Sequence, residues 1–249
     1  MTRKEAGSPG LLFFPPNLHA PKDAALKSEH IPKATIKRLA MYVQVLETLK
    51  REGSQVVSSE LLARTCSVNP SQIRKDLAYF GEFGVRGVGY HVQDLIYSIK
   101  HSLGVDRVWK CALVGVGNLG KALLRHQDFK FRGFDIVGAF DCDPFKIGEE
   151  ISGLEVVCTR RLKDAVKELG IEIGLITTPV NRAQRAANFL IEAGVKGIIN
   201  YSPAMLTVPA DIYVEHVDFF HYFYSVAFSI TLDRHQDRMG GENESDEDD

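Results

Sequence analysis

The stretch that most restricts this chain is "CALVGVGNLGKALL", Cys111 to Leu124, in which Gly115, Gly117 and Gly120 have the spacing G-x-G-x-x-G between an apolar run and a helical pattern. That spacing describes a buried strand turning sharply into a helix. The first glycine permits the turn, the second lets a pyrophosphate approach the N–H groups at the helix start, and the third lets helix and strand pack closely. Asp141 ends the next strand candidate 21 residues beyond Gly120, where a carboxylate would bond ribose hydroxyls and oppose a 2′-phosphate. "DCDP" at Asp141–Pro144 offers no arginine to neutralise such a phosphate, so NAD is favoured over NADP. A Rossmann-like domain with an empty or different nucleotide site is the alternative the motif leaves open.

The pattern around the motif repeats. "KCALVGV", "FDIVGAF", "LEVVCT", "IEIGLITT", "GIINY" and "IYVEHV" read as strands, with "NLGKALLRHQ", "RRLKDAVKEL" and "NRAQRAANFLIEAG" among the helical segments between them. Apolar strands alternating with amphipathic helices predict a parallel sheet covered on both faces. The Rossmann domain is placed at 109–217.

A different architecture precedes it. "IPKATIKRLAMYVQVLETLKREG" sets Ile36, Leu39, Ala40, Val43, Leu46 and Leu49 at helical spacing, with Pro32 in the first turn and Gly53 at the stop. Ser58 or Ser59 caps a short second helix. A third begins at Asn69 and Pro70, with Gln72 in position for a capping box. Unrolled at about 100° per residue, this helix puts Ile73, Leu77 and Phe80 on one side and Ser71, Arg74, Lys75 and Ala78 on the other. A small, basic outward face suits a recognition helix in a major groove. The glycine-rich "GEFGVRGVGYHV" that follows reads as a wing, with Arg86 near its tip suited to a narrow minor groove. From Ser28 to His91 there are nine Lys and Arg against six Asp and Glu. Residues 31–91 are therefore read as a winged-helix DNA-binding domain; a winged helix used only for protein contacts is the alternative. A linking helix is expected over 92–108.

Charge and cysteine usage narrow the class further. The net charge of −2 hides an acidic tail, "ENESDEDD", without which the rest carries +4. That tail (236–249) and the proline-rich opening (1–30) are expected to be disordered. Cys66, Cys111, Cys142 and Cys158 show neither CxxC nor Cys/His spacing, against both a metal site and a disulfide framework. No apolar run approaches the ~18 residues of a membrane span, and the four-residue run in "SPGLLFFPPNLHAP" is broken by prolines. A cytoplasmic protein without membrane or metal partners is expected.

An enzyme needs acid/base and substrate sites besides a cofactor site. No Y-x-x-x-K pair occurs, Tyr97 and Lys100 being one residue too close, and His216 and His221 are more simply surface or packed histidines. After the sixth strand one helix remains, "DFFHYFYSVAFSITLDR", apolar on almost every side. A helix of that kind must be buried all round, so 218–235 is expected to pack into a partner subunit, a simple core helix being the alternative.

Taken in order, "IPKATIKRL", "SQIRKDLAYFGEFGVRGVGY", "ALVGVGNLGKALL", "AFDCDPFKIG" and "VDFF" resemble the Rex family of bacterial redox-sensing repressors over Ile31 to Arg234. The resemblance implies an α/β homodimer: an N-terminal winged helix-turn-helix domain, a Rossmann domain binding NAD(H), and a C-terminal helix swapped between subunits. It implies binding to palindromic double-stranded operator DNA, released when NADH rises. A small NAD-dependent oxidoreductase with a regulatory front end is the alternative, and a CoA- or nucleotide-binding subunit of a larger enzyme a third reading. The candidate cofactor residues are Gly115, Val116, Gly117, Asn118, Leu119, Gly120, Asp141, Thr178, Pro179 and Phe219, the last by resemblance from the partner. The candidate DNA residues are Ser71, Gln72, Arg74, Lys75 and Arg86. Tyr90 and Asp218 are the candidate pair joining the two functions.

Overall fold

A computed structural model describes residues 31–79, 81, 84–85, 87–126 and 128–242, with side chains as far as Arg234. The 1–30 extension, Arg86, Phe80, Phe83 and the end of the acidic tail lie outside the described residues. The chain divides into two compact units, Met1–Asp106 and Arg107–Asp249.

In the first unit, α1 (Lys33–Arg51) is followed by β1 (Val56–Val57), α2 (Ser59–Thr65), α3 (Pro70–Ala78), β2 (Tyr90–His91) and α4 (Val92–Ser102). The buried face of α1 is Thr35, Leu39, Tyr42, Val43 and Leu46. It is rotated from the face expected, since Ile36 and Ala40 are exposed; Tyr42 and Thr35 turn inward because their hydroxyls have a buried partner, described below. Ser58 caps α2 by accepting the Leu61 N–H at 3.1 Å. Asn69 caps α3 by accepting the Ser71 N–H at 2.8 Å. Two short strands, β1 and β2, pair antiparallel, and the wing is pinned at its base by the Val85–Gly89 bridge. The helix expected as a linker belongs to this unit: Val92, Leu95, Ile96 and Ile99 of α4 lie in one core with Leu39, Leu46, Leu62, Ile73 and Leu77.

The second unit runs β3 (Trp109–Val114), α5 (Asn118–Arg125), α6 (Asp128–Phe131), β4 (Phe134–Asp141), β5 (Glu150–Ile151), β6 (Leu154–Cys158), α7 (Leu162–Leu169), β7 (Ile173–Ile176), α8 (Val180–Ala193), β8 (Gly197–Asn200), β9 (Tyr213–His216) and α9 (Phe220–Glu242). The sheet order is β5-β6-β4-β3-β7-β8-β9. All the pairings are parallel save β5 with β6. The six parallel strands therefore have the doubly wound Rossmann order, which reverses direction between β3 and β7 and opens a crevice there. One apolar core lies on the α7/α8 side of the sheet and a second on the α5 side.

Helix α9 follows a different rule. Phe220, Tyr222, Phe223, Tyr224, Val226, Phe228, Ile230 and Leu232 are all exposed, Tyr224 at 70% and Phe228 at 68%. The helix also runs on to Glu242, into the stretch expected to begin the tail, where Gln236, Arg238 and Met239 are adequate helix formers.

Candidate functional site

The glycine turn sits at the switch point between β3 and β7. Gly115 has φ +106°, and a Cβ there would meet Thr178 Cγ2 at 2.7 Å and the Thr177 carbonyl carbon at 2.8 Å. A Cβ on Gly120 would collide with the Gly115 carbonyl, whereas one on Gly117 would meet only open space. Turn, open approach and close packing thus fall on the three glycines in the order their spacing predicts. Thr177 Oγ1 donates to the Gly115 carbonyl at 2.6 Å and ties the turn to β7.

Gly115, Gly117, Leu119, Asp141, Thr178 and Pro179 line a cavity of about 620 Å³, within the usual range for a ligand cleft. Val116 is fully buried and outside the cavity lining, its N–H being taken by Asp141. Asn118 opens α5 and Gly120 packs beneath it; neither they nor Phe219 are in the cavity lining, and Phe219 is half exposed. Thr178 Oγ1 is buried without a hydrogen-bond partner, an orphan of the kind a ligand or water satisfies.

Asp141 is 5% exposed. Its Oδ2 accepts the Val116 N–H at 2.7 Å and Lys146 Nζ at 3.1 Å; its Oδ1 accepts the Asp143 N–H at 3.0 Å. Burial raises this carboxyl, but the Asp143 and Val116 N–H groups and Lys146 outweigh it and hold the acid below the ordinary carboxylate range. Lys146, Arg182 and Arg185 also line the cavity, three cations that the motif gave no reason to expect. They come from a loop and from α8, at spacings no nucleotide fingerprint specifies.

In the first unit, Ser71, Arg74, Lys75 and Ala78 are exposed on α3, while Ile73 and Leu77 are buried, as the unrolled helix predicts. Arg74 does not stand free: Nη1 donates to Ser59 Oγ at 2.9 Å and lies 3.6 Å from Glu60 Oε1. The capping box expected of Gln72 is absent; its amide donates instead to Asp76 Oδ1 at 2.8 Å. Asp76, which the sequence did not single out, is fully buried and also accepts from Arg38, Tyr42 and Thr35. Unrolled with the rest of α3, Asp76 falls on the inward side, three residues after Ile73, and an acid at that position was the signal the sequence held.

Tyr90 is nearly buried, and its ring lies against Gly84, where a Cβ would be 2.9 Å from Tyr90 Cε1. Asp218 belongs to the other unit, where its Oδ1 accepts the Phe220 N–H at 2.9 Å and caps α9. Among the described residues no three His, Cys, Asp or Glu side chains converge as a metal site, and no helix is long and apolar enough to cross a membrane.

A four-helix unit with a bridged wing, followed by a Rossmann sheet with an open glycine turn, defines a ligand-responsive DNA-binding regulator. Two family models match, "Putative DNA-binding protein N-terminus" over residues 30–78 and "CoA binding domain" over 106–204. The redox-sensing transcriptional repressor Rex of Solidesulfovibrio magneticus is 95% identical over 219 residues, covering 88% of this chain and 100% of that one. Its counterpart in Maridesulfovibrio salexigens is 70% identical over 206 residues, covering 83% and 99%. RSP, a Rex-family repressor, was crystallised with β-NAD⁺ and operator DNA; that structure is 33% identical, with a TM-score of 0.77, covering 86% of this chain and 99% of its own. The complex of RSP with β-NADH matches at 31% identity and a TM-score of 0.78, covering 85% and 100%. The chain belongs to the Rex family of redox-sensing transcriptional repressors, and so to a family of regulators rather than enzymes.

Proposed function

We propose that the first unit binds a palindromic operator through the outer face of α3, with Ser71, Arg74 and Lys75 toward the groove, and that NADH bound in the second unit releases it. The observation that carries this reading is the open cavity at the β3/β7 switch point, built on a glycine turn whose second glycine leaves room for a pyrophosphate. The cavity fits a dinucleotide: Gly117 leaves room at the start of α5, where backbone N–H groups favour a pyrophosphate, and Thr178 Oγ1 is a polar atom still lacking a partner. The nucleotide acts as a signal and undergoes no reaction here. The nicotinamide nucleotides held by RSP favour NAD(H) over the ligand named in the CoA binding model.

The preference for the reduced form has two physical sources. NADH has a neutral nicotinamide and NAD⁺ a cationic one, so an apolar lining spares the reduced ring a desolvation cost; Phe219 of the partner subunit supplies it in this reading. Arg182 and Arg185 add positive charge to the cavity, which disfavours the cationic ring. Tyr90 and Asp218 couple the two functions, and Arg86 of the wing reaches the minor groove. An operator and a nucleotide pool as its ligands support a cytoplasmic location. A mobility shift with a palindromic AT-rich duplex, titrated separately with NAD⁺ and NADH, tests the whole: release by NADH alone is expected, and indifference to both overturns it.

A further inference from the structure

The ribose corner of the cavity is lined by two charged side chains, Asp141 and Lys146, where the fingerprint foresees one, and Asp143 stands beside them. Asp141 has little surface to offer a ligand. Three donors already occupy it, and its side chain is 6% exposed against 32% for Lys146. A carboxylate so enclosed works as a brace, drawing the glycine turn at Val116 and the following turn at Asp143 together.

Lys146 is placed to do what Asp141 is not. Its ammonium has three N–H donors. One is used on Asp141 at 3.1 Å, and Asp143 Oδ2 at 3.9 Å is beyond hydrogen-bond range. The backbone beneath it is fixed, with the Lys146 and Ile147 N–H groups donating to the Asp143 carbonyl at 3.1 and 3.2 Å and the Phe145 N–H to Asp143 Oδ1 at 3.0 Å. The far end of the same loop is pinned to α5, where Lys121 Nζ meets both oxygens of Glu149 at 2.6 and 2.7 Å. An ammonium with spare donors, lining the cavity on a braced loop, is a ready reader of hydroxyls.

Resting on the reading of this cavity as a dinucleotide site, we propose that Lys146 is the specificity residue that bonds the adenosine ribose, and that Asp141 positions it and the glycine turn. With Asp141 and Asp143 against one ammonium the corner keeps a net negative charge and still opposes a 2′-phosphate, while Lys146 supplies the donors for the hydroxyls.

Calorimetry on the full chain separates the possibilities, comparing wild type, Lys146→Met and Lys146→Arg with NADH, ADP-ribose, nicotinamide mononucleotide and NADPH. A hydrogen bond from a charged donor corresponds to about tenfold or more in affinity. Lys146→Met is therefore expected to weaken NADH and ADP-ribose by the same factor, about tenfold. It should weaken NADPH further and leave nicotinamide mononucleotide unchanged. Lys146→Arg, which keeps the ion pair and spare donors, should recover most of the NADH affinity, and it carries the test if the methionine variant loosens the loop. NADH binding by Lys146→Met equal to wild type overturns the assignment alone. Wild-type protein that binds neither NADH nor ADP-ribose overturns the reading of the cavity, and the assignment with it.

Discussion

Arg38 and Asp76, from α1 and α3, form a two-pronged ion pair inside the first unit: Nε to Oδ2 at 2.6 Å and Nη2 to Oδ1 at 2.7 Å. Tyr42 Oη adds a third bond to Oδ2 at 2.8 Å. Burial pushes the Asp76 carboxyl up, but Arg38, Tyr42 and Gln72 outweigh it, and the acid stays below its ordinary range. The pair fixes the axial position of the helix that carries Ser71, Arg74 and Lys75.

Asp76→Ala is expected to cost about 3 kcal/mol of unfolding free energy, the low end for breaking a buried pair, because Arg38 is a quarter exposed and regains some hydration. Denaturant titration measures it. A depressed carboxyl contributes stability that is complete above its unfolded value near ~3.9 and is lost as pH falls through the lower folded value. Wild type should therefore lose this increment below about pH 4, and Asp76→Ala should show a flatter acid limb in the first unit's unfolding.

Arg74→Ala should lose about 1–3 kcal/mol of specific operator binding, the range for a good base contact. Glu60 beside it is an acid on the same face, so Glu60→Gln should strengthen binding to any duplex while leaving sequence preference intact. Fluorescence anisotropy on operator and scrambled duplexes checks both; full operator affinity in Arg74→Ala removes α3 from the reading.

Gly120→Ala should lower stability and nucleotide affinity together, since the new methyl meets the Gly115 carbonyl and must push α5 off the turn. The cost of such overpacking is about 1–3 kcal/mol. Gly53→Ala has an open surround but a φ of +85°, and should cost stability only. Thermal melts with and without NADH distinguish the two.

Arg185→Gln should narrow the preference for NADH over NAD⁺ by up to about tenfold, the scale of ~1.4 kcal/mol of repulsion between the cationic ring and one cation on the cavity wall. An equal loss for both nucleotides in calorimetry would make Arg185 a phosphate anchor instead. Tyr90→Phe should bind NADH as wild type does yet release operator less; equal coupling energies in the two proteins exclude Tyr90 from the coupling.

Much of this was legible in the sequence because the features are periodic or local. The glycine triplet, the six parallel strands and the Asn69-Pro70 start of α3 each leave a pattern within a dozen residues. What escaped is non-local. The role of Asp76 depends on hydroxyls 34 and 41 residues away, and that of Lys146 on how a loop folds back over Asp141. The antiparallel edge strand β5 has two residues, too few for an alternation to show. Helix α4 looked like a connector because its amphipathic pattern does not reveal which core it faces.

The uncovered aromatic surface of α9 also bears on how much regulator a cell obtains from a given amount of message. A terminal helix left uncovered by the described residues gains its cover from a second copy in the homodimer, so the finished form depends on chain concentration. Accumulation of the finished repressor is then second order in new chains, and unpaired chains, displaying Phe220, Phe223 and Phe228 to solvent, are the ones quality control removes. Halving synthesis should lower the operator-competent population by more than half, so dosage sensitivity is built into the last helix.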